Sequence, residues 1–198
     1  MSKFLPIVAG ATGTAIIAGG GGYLLSTQNT KIRDTFKEAL INLDTETDLV
    51  NEKLEKLKEN SSDPKHPKLK EAKTKESSKK GDGLKDFKSA CQEIYDSSFT
   101  NKNSDTFKDF QSFCARTIKD RITKTGWATN NAKWKDRFNK LKVDATKPSS
   151  DSLKQIATKD SATGDELKNW CETKANEVFE GEKNLEFKDA SASCGAKD

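Results

Sequence analysis

A pattern of cysteine and phenylalanine residues occurs twice in the chain, the second copy lying 80 residues after the first. In each copy two cysteines enclose 22 residues, and a phenylalanine and a Phe-Lys-Asp triplet lie at the same offsets between them. The matched residues are Cys91, Phe99, Phe107, Lys108, Asp109 and Cys114 in one copy, and Cys171, Phe179, Phe187, Lys188, Asp189 and Cys194 in the other. The chain has 4 cysteines in all, so the repeat accounts for every sulfur that could form a cross-link.

Disulfide bonds explain these cysteines better than a metal site or a catalytic thiol does. Pairs that enclose 22 residues lack the close Cys-x-x-Cys spacing of common zinc sites. The only histidine, His66, lies between two prolines and away from every cysteine, so no Cys–His catalytic pair is expected. Four cysteines allow three pairings, and the repeat favours Cys91–Cys114 with Cys171–Cys194. Buried free thiols on apolar helix faces are the alternative.

The composition shows why cross-links would matter here. Hydrophobic residues make up 32% of the chain and charged residues 33%, which is poor in apolar side chains for a globular protein. A small domain buries only about two-thirds of its surface, and closing a loop of this length with a disulfide adds roughly 3 kcal/mol. The 35 basic and 31 acidic side chains are intermixed and leave a net charge of +4. Without an aromatic and basic platform, we expect no nucleic-acid partner.

The N-terminal segment is apolar and long enough to interact with a membrane. Residues 4–25 form a 22-residue apolar stretch flanked by Lys3 and Lys31. As a helix it would be about 33 Å long at ~1.5 Å per residue, against a hydrocarbon core of ~30 Å. We therefore expect residues 1–30 to be an uncleaved signal-anchor that contacts the membrane through residues 4–25. The glycines of residues 19–22 dilute its hydrophobicity, and a buried glycine-rich core segment is a further hypothesis.

A cleaved signal peptide, which would give a secreted protein, is the main alternative to an anchor. Ala9-Gly10-Ala11 has the small-x-small form of a cleavage site. The apolar core before that site is short, however, and the chain continues apolar for fourteen residues beyond it. Those two features favour an anchor that is retained.

Two signals conflict over the orientation of such an anchor. Lys31, Arg33 and Lys37 follow the span and only Lys3 precedes it, which by the positive-inside rule would place the C-terminal part in the cytoplasm. Paired cysteines indicate an oxidising compartment instead. Long downstream domains translocate largely regardless of flanking charge, so we give the cysteines more weight. The prediction is a single-pass cell-membrane protein with an extracellular C-terminal domain.

Residues 31–59 show the spacing of an amphipathic or coiled-coil helix. Apolar side chains recur at intervals of three, four and seven, at Ile32, Phe36, Leu40, Leu43, Val50, Leu54 and Leu57. One interpretation is a helix that folds back on the C-terminal domain. The other is a short stalk that self-associates through residues 32–57.

Residues 60–82 have the composition of a disordered Lys-rich linker. They contain two prolines, seven lysines and a single large apolar residue, Leu69. Such a stretch cannot bury enough apolar surface to offset its ordering entropy. We therefore place a domain boundary near Gly83.

Residues 83–198 predict a helical domain that contains both Cys-x22-Cys repeats. The patterns favour one helix that begins at Leu84 and ends around Ser97-Ser98, and a second that begins at a Ser104 cap and runs through Ile122. Further helices are expected around 134–141, after Ser149 or Ser150, and over 167–178, with a short extended piece at 185–187. The Lys-Asp pairs of the repeat are expected at the surface. The fold class is thus mainly α, with a membrane-span helix, an amphipathic helix, a flexible linker and a small disulfide-stapled helical domain.

No motif in the chain indicates an enzyme. A phosphate-binding loop, a dinucleotide fingerprint, a nucleophile elbow and a metal-binding helix motif are all absent from the sequence. We therefore expect no catalytic residues, no cofactor and no metal site. Trp127 and Trp134 could line a groove for a peptide or glycan, but packing in the core is the simpler interpretation.

The layout resembles the paralogous families of short uncharacterised proteins of haemotropic mycoplasmas. The resemblance rests on the Met-Ser-Lys start, the glycine-rich apolar span, Phe113-Cys114 and Trp170-Cys171. It implies a membrane-anchored or exported surface protein of the variable-antigen kind, with no assigned activity and no catalytic residues to carry over. The long basic segment at 60–82 departs from the shorter relatives.

Together these observations predict a membrane-anchored, surface-exposed or secreted protein without enzymatic activity. Its helical domain would serve antigenic display or adhesion to a host surface protein or glycan. The alternative is a cytoplasm-facing, membrane-tethered scaffold whose lysine-rich segment lies on anionic lipid.

Overall fold

The computed structural model describes residues 30–122, 126–128, 133–143, 146–159 and 163–196. Within these ranges the protein is mainly helical and contains two disulfide bonds, and its extended segments pair only through isolated bridges. The predicted membrane-span segment lies almost entirely outside the described residues. Among the helices that are described, none combines the length and apolarity needed to cross a bilayer.

Ten α-helices follow one another along the described residues. The first five are α1 Ile32–Thr35, α2 Thr47–Glu59, α3 Pro67–Ser78, α4 Leu84–Asp96 and α5 Asp105–Asp109. A 3₁₀ turn at Lys37–Ala39 follows α1, and a π-helical turn at Phe110–Cys114 follows α5. The other five are α6 Ile118–Arg121, α7 Trp134–Lys140, α8 Asp151–Ala157, α9 Asp165–Ala175 and α10 Leu185–Ser193.

Equivalent backbone hydrogen bonds show that α6–α10 repeat the arrangement of α1–α5. At the start of α1, the N–H of Ile32 donates to the carbonyl of Ser97 (3.0 Å). At the start of α6, the N–H of Ile118 donates to the carbonyl of Glu177 (2.9 Å). The isolated antiparallel bridges are duplicated as well: Lys31–Ser98 matches Thr117–Val178, and Leu40–Ala115 matches Trp127–Gly195. The repeat therefore extends far beyond the cysteines, over residues 30–115 and 116–196.

One short extended segment, residues 115–117, belongs to both repeats. Ala115 closes the first repeat by pairing with Leu40, and Thr117 opens the second by pairing with Val178. The side chain of Val178 packs into the hydrophobic core of the first repeat. The two repeats are thus joined through a shared backbone segment and a shared apolar contact.

The segment predicted to be a flexible linker is ordered, which corrects the sequence analysis. Residues 67–78 form α3, with Pro67 at its first turn and with Leu69 and Ala72 fully buried. The helix packs closely against the start of α4, where a Cβ on Gly83 would lie 2.4 Å from the carbonyl oxygen of Ala72. Helix α3 is stable with only two buried apolar side chains of its own because α2 and α4 supply the rest of the surrounding core. The folded region therefore includes residues 30–82 as well as the residues that follow Gly83.

The amphipathic segment 31–59 is also different from the single helix that its spacing predicts. It breaks after α1, and a polar turn precedes α2, held by the Asn42 side chain, which accepts the N–H groups of Asp44 and Thr45 (3.1 Å each). Most of its apolar side chains are buried inside the molecule, with Ile32 and Leu57 fully covered. This is the burial that the fold-back interpretation predicts.

The second predicted helix ends earlier than expected. Ser104 caps α5 by accepting the N–H of Phe107 (3.2 Å), as predicted, but the helix stops at Cys114 instead of continuing to Ile122. A new helix, α6, starts four residues later, at Ile118, with a reciprocal capping box between Thr117 and Asp120. Residues 185–187, predicted as extended, form the start of α10, because the Asn184 side chain accepts the N–H groups of its first turn.

The two repeats have separate cores of different composition. The first is rich in aromatic rings: Phe36, Phe99, Phe107 and Phe110 lie with neighbouring centroids 5.1–5.9 Å apart. The second contains the largest side chains of α7 and α9, including Trp134, Phe138 and Trp170. Trp127 packs against this core, so both tryptophans singled out for a groove serve in packing.

Candidate functional site at the junction of the repeats

The two disulfides form as the repeat predicts. Cys91 bonds to Cys114 and Cys171 to Cys194, with Cα separations of 5.3 Å and 5.6 Å. In each repeat the bond joins the middle of the central helix, α4 or α9, to the end of the last helical segment. All four sulfurs are buried, so these bonds are structural parts of the two cores.

Asp109 and Asp189 are buried rather than exposed, which corrects the prediction of surface Lys-Asp pairs. The Asp109 carboxylate accepts the N–H groups of Lys65 (2.8 Å) and His66 (2.6 Å), immediately before α3. The Asp189 carboxylate accepts the N–H groups of Ser149 (2.9 Å) and Ser150 (2.7 Å), immediately before α8. Each carboxylate therefore accepts backbone N–H groups just before a helix that lies in a distant part of the sequence of its own repeat.

Both carboxyl groups are buried and accept several hydrogen bonds, which gives the acid at this position of each repeat a structural role. Burial raises the pKa of Asp109, and the hydrogen bonds from the His66 and Lys65 N–H groups oppose that rise. Asp189 receives an additional bond from the Ser150 hydroxyl (2.6 Å). The predicted cap at Ser150 thus acts indirectly: its hydroxyl binds Asp189, and the carboxylate caps the helix. Both carboxylates are engaged in hydrogen bonds within their own repeats, so they are structural residues.

Several polar contacts across the junction join donors of the first repeat to acceptors of the second. Lys53 in α2 pairs with Asp120 in α6 at 2.5 Å, and the Lys53 side chain is only 4% exposed. Lys102 pairs with Glu180 at 2.7 Å. The Gln111 amide donates to the carbonyl of Asn176 (3.1 Å). The junction therefore combines apolar packing with directed electrostatic contacts.

A cavity of about 330 Å³ lies at this junction. Phe107 of the first repeat and Ile118 and Val178 of the second contribute its apolar surface. Its polar surface comes from both repeats and includes Lys102, Gln111, Glu180 and Asn184, together with Lys174, Glu177 and Glu186. The volume is at the lower end of the range for small-molecule sites, and the mixture of apolar and polar lining is typical of them.

Lys174, Glu177 and Glu186 form a charged triad in the cavity wall. The Lys174 ammonium donates to Glu177 (2.8 Å) and to Glu186, and its side chain is 10% exposed. The Ser152 hydroxyl donates to Glu186 (2.9 Å) and accepts the indole N–H of Trp170 (3.0 Å). Glu186 and Lys174 are therefore held in place by the surrounding structure, while Glu177 is the most exposed member of the triad.

The two carboxyl groups of the triad differ in their proton affinity. Burial raises the pKa of Glu177, and the Lys174 ammonium only partly offsets this effect. Burial acts on Glu186 in the same direction, but the hydrogen bonds from Lys174 and Ser152 outweigh it and lower the pKa of this group. For Lys174, burial opposes the charge, but the bonds to both carboxylates outweigh it and raise the pKa. Two carboxylates thus share one ammonium group.

The first repeat has uncharged residues at every position of this triad. Ile94, Ser97 and Thr106 stand where Lys174, Glu177 and Glu186 stand in the second repeat. Ile94 is a fully buried core residue, so its replacement by lysine inserts a charge into a position that the fold uses for packing. The triad is not among the site residues predicted from the sequence, although a residue-by-residue comparison of the two repeats at the 80-residue offset reveals it.

A larger open groove of about 830 Å³ lies beside α2 and the end of α3. Its wall includes Asp48, Glu52, Glu55 and Glu76. Glu76 accepts the N–H groups at the turn after α3, and Glu55 pairs with Lys58 and Lys80. Leu54 is the single large apolar residue in its wall, whereas three line the junction cavity, so the junction cavity is the better candidate site.

No group of three or more His, Cys, Asp and Glu residues in the described part of the chain is arranged to hold a metal ion. All four cysteines are used in disulfides, and the imidazole of His66 lies 3.4 Å from the carboxylate of Glu93. No protein-family model matches the chain, and neither the curated proteins nor the solved structures include a significant match to it.

Proposed function

We propose that the protein is a non-enzymatic, membrane-anchored surface protein, or a secreted one, that presents a two-repeat helical domain for antigenic display or for adhesion to a host component. The observation that carries the proposal is the pair of equivalent disulfides, one in the core of each repeat. Stable structural disulfides are typical of proteins that fold in oxidising compartments. The apolar segment at residues 4–25 supplies the means of export or anchoring.

The duplication itself supports a role in presentation or binding. Tandem repeats of a small structural unit build a larger contact surface while each unit keeps its own core. Here the helix framework and the disulfides are kept in both repeats, whereas the exposed and junction residues differ. The resemblance to the mycoplasma surface-protein families agrees with such a role.

The alternative, a cytoplasm-facing scaffold, depends on free lysines that lie on anionic lipid. In the lysine-rich segment, five of the seven lysines have acidic partners within 4 Å: Lys68, Lys73, Lys75, Lys79 and Lys80. Each pair reduces the net positive charge that a membrane surface would attract. This observation favours the surface protein over the scaffold.

The redox state of the cysteines in the native host distinguishes the two hypotheses. Cells are lysed in acid, and the protein is unfolded without reductant and treated with an alkylating reagent of known mass. A surface protein should show no alkylated cysteine, and protease added to intact cells should remove the domain. Four alkylated cysteines with full protection from the protease would overturn the proposal in favour of the cytoplasmic scaffold.

A further inference from the structure

The charges that line the junction cavity do not balance. Lys102 is paired with Glu180, and Lys174 is shared by Glu177 and Glu186, so three carboxylates face two ammonium groups. A half-exposed carboxylate that shares its counter-ion with a second carboxylate is stabilised electrostatically by a further cation that enters the cavity. The cavity is therefore complementary to a ligand with a positive charge.

The apolar part of the cavity restricts the shape of that cation. Phe107, Ile118 and Val178 contribute apolar surface next to the carboxylates. Methylene groups gain from contact with such surface, whereas a strongly hydrated metal ion gains nothing from it. A flexible alkyl chain that ends in an ammonium group matches both features.

We propose that the junction cavity binds a primary alkylammonium group, with its charge beside Glu177, the most exposed carboxylate of the triad, and its methylene chain against Phe107 and Val178. Such a group occurs in free diamines and in the lysine side chain of a partner protein. The proposal goes beyond the proposed function, because the cavity would bind this group whether the domain lies outside or inside the cell.

The first repeat provides an internal control for this inference. Its equivalent residues, Ile94, Ser97 and Thr106, carry no charge, and the fold is the same. The charged residues of the triad are therefore not required to form the repeat. A lysine at the position of a fully buried isoleucine loses apolar packing. Lys174 stands at the position of Ile94, and it lines the cavity, so the loss of packing coincides with the proposed site.

Binding is tested by NMR on the full-length, oxidised chain, with 1,5-diaminopentane as the probe. The side-chain amides of Gln111 and Asn184 line the cavity and report on it directly. We expect their signals to shift with saturation on addition of the diamine and not on addition of 1,5-pentanediol or glutarate. Equal shifts with the diol, or shifts that spread over surface carboxylates without saturating, would overturn the proposal.

Two variants make the test specific. Glu177→Gln removes the surplus carboxylate with little change in shape, and the loss of a charged hydrogen bond should weaken diamine binding by roughly 10- to 100-fold. The matched control is Glu182→Gln, because Glu182 is 67% exposed, pairs with Arg121 and does not line the cavity. The control should bind the diamine like the unmodified chain. Unchanged affinity in Glu177→Gln would contradict the inference.

A second comparison separates the two sources of the ammonium group. Nα-acetyl-lysine methylamide presents a lysine side chain without a free α-amine. Tighter binding of this compound than of the diamine would indicate a lysine of a protein partner as the natural ligand, and the reverse order a free diamine. Saturable binding of neither compound would refute the site, and it would leave the redox and topology tests of the proposed function unaffected.

Discussion

The hydroxyl of Tyr95 donates a 2.7 Å hydrogen bond to the carbonyl oxygen of Cys114. The same hydroxyl lies 3.4 Å from the N–H of Ile41, which donates to it. In the second repeat Ala175 takes the place of Tyr95, and the N–H of Ala128 bonds directly to the carbonyl of Cys194 (2.8 Å). The tyrosine hydroxyl therefore substitutes in the first repeat for a backbone hydrogen bond that the second repeat makes directly.

Replacing this tyrosine by phenylalanine should destabilise the first repeat. Tyr95→Phe keeps the ring but leaves the Ile41 N–H and the Cys114 carbonyl without their buried partner. The loss should be about 1–3 kcal/mol in the free energy of unfolding, measured by urea denaturation. As a control, Ser97→Ala removes a local, half-buried hydroxyl bond at the end of α4 and should cost less than about 1 kcal/mol. Equal losses in the two variants would show that the Tyr95 hydroxyl has no special role.

The same hydroxyl makes the stability depend on pH in the alkaline range. Burial raises the pKa of Tyr95 to about 12, from an ordinary value of 10.0. Because the folded state disfavours the phenolate, the contribution of Tyr95 is complete below pH ~10 and is lost as the pH rises towards ~12. We expect the free energy of unfolding to fall over this window. Tyr95→Phe should show a smaller fall, and an identical pH profile for the two proteins would contradict this assignment.

The buried carboxylates before α3 and α8 should matter more than ordinary surface acids. Asp109→Ala and Asp189→Ala each leave backbone N–H groups without an acceptor, at a cost of about 1–3 kcal/mol. Asp189→Ala should be the more damaging, since Asp189 also binds the Ser150 hydroxyl. Thermal unfolding of both variants is compared with Asp44→Ala, whose carboxylate is 91% exposed. A control as unstable as the two variants would show that the buried caps contribute nothing extra.

Removing either disulfide should destabilise its own repeat first. The double variants Cys91→Ala/Cys114→Ala and Cys171→Ala/Cys194→Ala should each lose roughly 3 kcal/mol. The second repeat has Ala190 and Ser193 where the first has Phe110 and Phe113, so it has less apolar packing to compensate. Hydrogen exchange should therefore show that α9 becomes exchangeable in the second variant while α4 stays protected. Uniform loss of protection in both variants would mean that the repeats unfold as one unit.

The features that the sequence predicts correctly depend on local signals. The cysteine pairing follows from the matched spacing, and α4 follows from apolar residues on one helical face, such as Phe87 and Ile94. The cap at Ser104 is likewise a contact between residues three positions apart. Each of these signals lies within a short stretch of chain and needs no knowledge of the tertiary structure.

The features that the sequence did not predict depend on distant contacts. Helix α3 buries few apolar side chains of its own and is stable because α2 and α4 surround Leu69 and Ala72. The full extent of the repeat is hidden because its offset changes along the chain: Thr117 matches Lys31 at 86 residues, whereas Val178 matches Ser98 at 80. A fixed-offset comparison therefore detects the cysteines and misses the N-terminal half of each repeat.

The ion pair between Lys53 and Asp120 should be the strongest single polar contact between the repeats. Lys53 is 4% exposed and Asp120 17%, and Asp120 also accepts the Thr117 N–H (2.7 Å). Asp120→Asn leaves the buried ammonium without its counter-charge and should cost about 3 kcal/mol. Lys53→Met should cost less, because Asp120 keeps its backbone partner and is closer to water.

Urea denaturation of the two single variants and the double variant measures the coupling between these residues. The double variant should be more stable than the sum of the two single losses predicts, because neither charge is then left unpaired. The control is Lys154→Met at the pair with Asp151, where the side chains are 52% and 92% exposed, and its effect should stay within about 0.5 kcal/mol. Strict additivity of the Lys53 and Asp120 losses would mean that this contact does not couple the two repeats.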